Sequence, residues 1–137
     1  MARVETHEAT LESIRAPIAS SFDRFQSLWD DAFLCDVLLV GAVGAHLHRA
    51  FGKRFRPTLV LLSAKAFGSV SDEVLRGAVV VELIHTATLI HDDSVDKSLV
   101  RRSLPTVNSA WSNDVAILMG DYLYSKAFSI MVREKMY

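Results

Sequence analysis

One cysteine, three prolines and six glycines in 137 residues leave little material for loops, stapled frameworks or linkers. A lone Cys35 cannot close an internal disulfide, which excludes a cystine-stapled secreted module and fits a cytoplasmic home. Cys35 lies in an apolar run, so a buried, inert thiol is expected. No charge of one sign dominates: 15 Lys and Arg stand against 16 Asp and Glu, for a net −1. That balance gives no basic footprint for a nucleic-acid partner. Long unbroken apolar runs are missing as well. The stretch 33–47 is interrupted by Asp36, and 78–90 by Glu82 and His85. Neither reaches the roughly 18 apolar residues of a spanning helix, so no transmembrane segment is expected. The N-terminus is of mixed charge and lacks the apolar core of a signal peptide.

What is present is apolar: half of all residues, rich for a small domain. Such a composition calls for a large core or a large interface. Strand alternation is absent, and the periodicity is helical. Residues 3–15 read as a helix interrupted at Pro17. Its apolar positions continue through Phe22, Phe25 and Trp29. The segment from Asp31 to about Ala50 is too long for a strand, and Phe51-Gly52 reads as its stop. After the basic turn Lys53-Arg54-Phe55-Arg56, Pro57 opens a helix that runs to about Phe67. Gly68-Ser69 ends it. Ser71 is an N-cap, followed by Asp72 and Glu73 where the helix dipole favours negative charge. That helix extends to about Asp96. Residues 97–106 form a charged turn ending in Pro105, and a last helix spans about Asn113 to Arg133. The reading is an all-α chain of about six helices, with an apolar face on the last one left uncovered.

Asp92 and Asp96 fall one turn apart on one helix face. Two carboxylates there repel each other, and the negative end of the helix dipole adds to the repulsion. A solvated surface patch is the plain alternative. A hard cation such as Mg²⁺ resolves the repulsion, because it takes carboxylate oxygens and completes its shell with water and phosphate oxygens. His85 lies seven residues earlier on the same face, whereas His91 points elsewhere, and a satisfied polar neighbour is at least as good a reading of it as a functional group. Arg101 and Arg102 follow the aspartates, and paired guanidinium groups fork onto phosphate oxygens. Lys53, Arg54 and Arg56 form a second cationic set at a helix N-terminus, which adds partial positive charge. Two anion sites result. One combines Asp92 and Asp96 through metal with an arginine; the other is metal-free and uses Lys53, Arg56 and His85.

These residues resemble the trans-isoprenyl (polyprenyl) diphosphate synthases. The resemblance rests on GKRFRP at 52–57, ELIHTATLIHDDSVD at 82–96, RRSLPTVN at 101–108 and AILMGDYLYSKAF at 116–128. It spans the chain from about Asp31 onward and is nearest the long-chain, octaprenyl-diphosphate-synthase-like type. It implies an isoprenoid-synthase helical bundle around a central cavity, commonly dimeric. The implied reaction is Mg²⁺-dependent condensation of an allylic diphosphate with isopentenyl diphosphate to an all-trans polyprenyl diphosphate. Carried over by position, Asp92 and Asp96 bind the metal with Asp93 in support. Arg101 meets the allylic diphosphate. Lys53, Arg56, His85 and Arg102 meet isopentenyl diphosphate. Ala87 and Thr88 stand where bulky residues stop short chains, and their small size leaves growth open; tight packing against another helix is the other explanation of them.

Three departures stand out. Phe51 replaces a glycine before Gly52, and Ser103 replaces a glycine after the arginines. Beyond Asp96 there is no second aspartate-rich motif, since Asp114 and Asp121 are isolated. The expectation is therefore the N-terminal portion of a synthase domain over 1–137, with impaired activity. The alternative is a non-catalytic helical subunit that pairs with a full-length synthase, so either a homodimer or a hetero-oligomer is expected. A terpene cyclase fits less well, because it has no use for the second cationic set.

Overall fold

The computed structural model describes residues 10–50 and 52–137. Five long helices carry it: α2 (Ala19–Asp31), α3 (Leu38–Ala50), α4 (Phe55–Ala66), α5 (Asp72–Val95) and α7 (Asn113–Arg133). Two short ones, α1 (Leu11–Arg15) and α6 (Val107–Ala110), complete the helical set among the described residues. The all-α class expected from the periodicity is the observed one.

Local chemistry explains where the helices begin. Thr10, Ser71, Thr106 and Ser112 each cap a helix by accepting an N–H three residues on. Pro17 sits in a 3₁₀ turn, Ala16–Ile18, that joins α1 to α2, as a proline interruption should. The part of the expected first helix at residues 3–9 lies outside the described residues, as does Phe51.

The middle helix α5 organises the core. Leu75, Ala78, Val79, Leu83, Ala87 and Ile90 are buried along it at helical spacing. They pack chiefly on α7, then on α4 and α2. From α7 come Ala116, Met119, Leu123 and Ala127, and from α2 come Phe22, Phe25 and Trp29.

Several expectations change. The helix expected from Asp31 to Ala50 breaks at residues 32–37, and α3 restarts at Leu38. A straight helix rises about 1.5 Å per residue, so an unbroken one would carry Val43 and Leu47 far from the core that buries them. The turn lets Gly44 come down on the ring of Phe33, where a Cβ would stand 2.7 Å from a ring carbon. Cys35 falls in this turn and is exposed, not buried. α4 begins at Phe55 rather than Pro57, leaving the proline in the first turn, where an N–H has no helical acceptor. Residues 97–106 hold a small hairpin, β1 (Val100–Arg101) paired antiparallel with β2 (Leu104–Pro105), too short to register as alternation.

By length and composition α5 and α7 are each apolar enough to cross a membrane, although charged and polar residues interrupt both. Core helices of a helical bundle meet the same measure. Half of the relevant window of α5 is buried against the rest of the chain.

Candidate functional site

The C-terminal half of α5 presents two different faces. Glu82, Thr86, Asp93 and Ser94 continue the buried stripe, whereas Asp92 and Asp96 are exposed and His85 is half-buried. The aspartate cluster is therefore split by helix register. Asp92 and Asp96 face outward together. Asp93 faces inward, 6% exposed, and accepts three hydrogen bonds of 2.8–3.1 Å from Nε and Nη2 of Arg101. That fork raises the affinity of the Arg101 guanidinium for its proton, the Asp93 bond first and Asp92 and Asp96 adding to it. Arg101 Nη1 makes no bond to a described residue.

The hairpin that carries Arg101 and Arg102 is pinned from below. The Ser98 carbonyl accepts from Thr106 Oγ1 at 2.7 Å and from Asn108 Nδ2 at 2.9 Å. His46 of α3, almost fully buried, donates through Nε2 to the Pro105 carbonyl at 2.8 Å. Its two loop residues are left-handed, Arg102 at φ 51° and Ser103 at φ 65°, the backbone of a tight I′-type hairpin. Ser103 thus stands where the resembling family has glycine, and glycine is the residue that conformation favours.

Arg102 reaches across to the start of α4. A Cβ on Gly52 would collide with its guanidinium, so the glycine is what admits the arginine there. Gly52, Lys53, Arg56, His85 and Arg102 line one cleft of about 360 Å³ together with Arg54, Phe55 and Glu82. The residues assigned to a metal-free anion site thus converge in space. Burial pushes the His85 imidazole below its ordinary value of 6.5, with Arg56 adding to the shift and Glu82 opposing it.

Arg54, though part of the basic turn, does not face the cleft as a free cation. It turns inward in a left-handed backbone at φ 44°, pairs with buried Glu82 at 3.1 Å and stacks 4.3 Å over Trp29. Burial lowers its pKa, while the bond to Glu82 opposes that shift. No local pattern separates Arg54 from Lys53 or Arg56; only the partner 28 residues away does. His91 donates to the Ile117 carbonyl at 3.1 Å and lies 3.5 Å from Asp121 Oδ1. Gly120 makes room for its ring. Ala87 is fully buried, whereas Thr88 is exposed and bonds the Ile84 carbonyl at 2.8 Å and Tyr124 Oη at 3.1 Å.

Among the described residues no three His, Cys, Asp or Glu side chains form a ready metal cage. Mg²⁺ needs no such cage, since one or two carboxylates with water and substrate phosphate suffice. The donor set fits: two hard carboxylates one turn apart, with no hydrogen bond or ion pair to either side chain among the described residues.

Comparison with known proteins follows the same lines. The sequence profile described as Polyprenyl synthetase matches residues 39–136. An all-trans-nonaprenyl-diphosphate synthase (geranyl-diphosphate specific) from Rhodobacter capsulatus is 40% identical over 122 residues, covering 88% of this chain and 38% of that protein. The octaprenyl diphosphate synthase of Escherichia coli K12 is 42% identical over 96 residues, 70% of this chain and 30% of its own length. A polyprenyl synthase from Caulobacter crescentus, solved with calcium and isoprenyl diphosphate, superposes at a TM-score of 0.84 and 34% identity. That superposition covers 90% of this chain and 38% of the other. The chain thus spans less than two-fifths of the length of these relatives.

Proposed function

The chain belongs to the polyprenyl synthetase family, a family of transferases, and we propose that it carries the diphosphate-handling half of a Mg²⁺-dependent polyprenyl diphosphate synthase. Its substrates are an allylic diphosphate and isopentenyl diphosphate. The observation that carries this reading is the division of charge around α5. Paired outward carboxylates lie at its end, and a separate cationic cleft, lined by His85, lies beside it.

Asp92 and Asp96 would hold Mg²⁺, which would supply neutralising charge for a diphosphate leaving group. Arg101, fixed by Asp93, offers its remaining donors to that same diphosphate. Lys53, Arg56, Arg102 and His85 hold isopentenyl diphosphate without metal, the three cations pairing with its oxygens and the imidazole donating to them. The allylic C–O bond breaks, the alkene of isopentenyl diphosphate bonds to the allylic carbon, and loss of a proton restores an alkene. Thr88 lies one turn before Asp92 and is small, so the product grows past short lengths. Residues 97–137 hold no second aspartate-rich motif, so these 137 residues by themselves bind both substrates but elongate poorly.

Calorimetry on this chain tests the proposal. Geranyl diphosphate binds only with Mg²⁺ and loses binding in Asp92→Ala. Isopentenyl diphosphate binds in EDTA and loses binding in Arg56→Ala. Absence of both signals defeats the reading. Robust Mg²⁺-dependent elongation by the isolated chain would refute impaired activity but not the site.

A further inference from the structure

The wall of the cationic cleft is held from behind by a residue with no sequence neighbour in it. Arg15, at the end of α1, donates through Nε to Thr58 Oγ1 at 2.9 Å. Its Nη2 donates to the carbonyls of Lys53 and, at 3.3 Å, of Arg54. Thr58 Oγ1 in turn donates to the Arg54 carbonyl at 2.8 Å, which closes the network. The guanidinium plane rests 4.0 Å over the ring of Phe22. One side chain therefore takes up two successive carbonyls at the point where the backbone turns left-handed, at Arg54. A non-glycine residue keeps such a conformation only where its surroundings impose it. With both carbonyls held on the Arg15 side, the turn presents Lys53 and Arg56 to the cleft that His85 and Arg102 also line.

We propose that Arg15 is a positioning residue for the metal-free diphosphate site: it sets the backbone of the 53–54 turn so that Lys53 and Arg56 converge on the anion. This rests on the reading of that cleft given above. Arg15 precedes the residues 39–136 that match the family profile, so the contribution comes from the N-terminal segment. It is geometric rather than electrostatic. The guanidinium is spent on three acceptors behind the turn, and a lysine ammonium lacks the planar fork to reach all of them.

The test uses the full chain and inorganic diphosphate in EDTA, followed by calorimetry. Arg15→Ala and Arg15→Lys both weaken binding about tenfold, the loss of roughly one charge-assisted hydrogen bond. Arg24→Ala, which removes a surface cation paired with Asp72, leaves affinity unchanged. Millimolar guanidinium chloride restores binding to Arg15→Ala relative to sodium chloride of equal strength, a rescue that a general loss of structure would not show. Thr58→Val, which removes the relaying hydroxyl at little change in volume, weakens binding to a smaller degree. Affinity within about twofold of wild type in Arg15→Ala overturns the inference, as does full affinity in Arg15→Lys, which would make charge alone sufficient. If Arg56→Ala loses binding while Arg15→Ala keeps it, the cleft reading stands and only the inference falls. If wild type binds no diphosphate without metal, both fall.

Discussion

Ser103 occupies a backbone position that glycine favours, at φ 65° in the two-residue loop of the hairpin. Ser103→Gly should stabilise the chain by about 0.5–1 kcal/mol in urea unfolding, since a left-handed side-chain residue carries a steric cost that glycine lacks. A loss of stability would mean that the serine hydroxyl holds the loop. His85 gives a pH-dependent prediction. Its folded pKa lies below the ordinary 6.5, so between the two values the unfolded chain binds more protons. Stability from this group is thus full above 6.5 and falls as pH drops toward the folded value. A bound diphosphate reverses the preference by favouring imidazolium. Isopentenyl diphosphate binding in EDTA should therefore take up a proton, and the affinity advantage of wild type over His85→Gln should grow as pH falls through 6.5. Parallel pH profiles for the two proteins would remove His85 from the site.

Between elements, the junction of α4 with α5 depends on one buried ion pair. The Arg54 and Glu82 side chains are 9% and 5% exposed and lie 3.1 Å apart, beside Trp29. Removing one partner strands the other charge in the core, so Arg54→Ala should cost about 3–5 kcal/mol in chemical denaturation. A double change of Arg54→Met with Glu82→Leu should recover much of it, because a buried pair is worth little more than well-packed apolar groups. A cost near zero for the single change would show that water reaches Glu82. The same register that buries Glu82 buries Asp93. From Glu82 onward the helix thus delivers Glu82 and Asp93 to arginines and leaves Asp92 and, at its C-cap, Asp96 in solvent.

Across the whole molecule, a good deal of apolar surface stays open. Phe67 and Leu38 are 96% and 90% exposed, and Ile117, Leu118, Phe128 and Val132 are exposed along α7. Isolated apolar side chains are ordinary, but a row of them along one helix is a contact surface. The chain should self-associate as concentration rises in sedimentation equilibrium, and Leu118→Lys with Val132→Lys should shift it toward monomer. A monomer at every concentration tested would refute this.

The sequence by itself determined the helical class and most helix stops, and it singled out the residues proposed for the two anion sites, because periodicity and acid spacing are local properties of the chain. It fixed α7 at Asn113–Arg133 and the cap at Ser71. It also placed His85, Asp92 and Asp96 along one face, since seven and four residues are whole turns. Only the tertiary structure decided the turn at 32–37, the exposure of Cys35 and the inward roles of Arg54 and Arg15. Each depends on a partner brought from elsewhere in the chain or on where the core lies. It likewise divided the aspartate cluster, leaving Asp92 and Asp96 in solvent and turning Asp93 onto Arg101. Adjacent positions on a helix differ by about 100°, and only packing says which direction is inside.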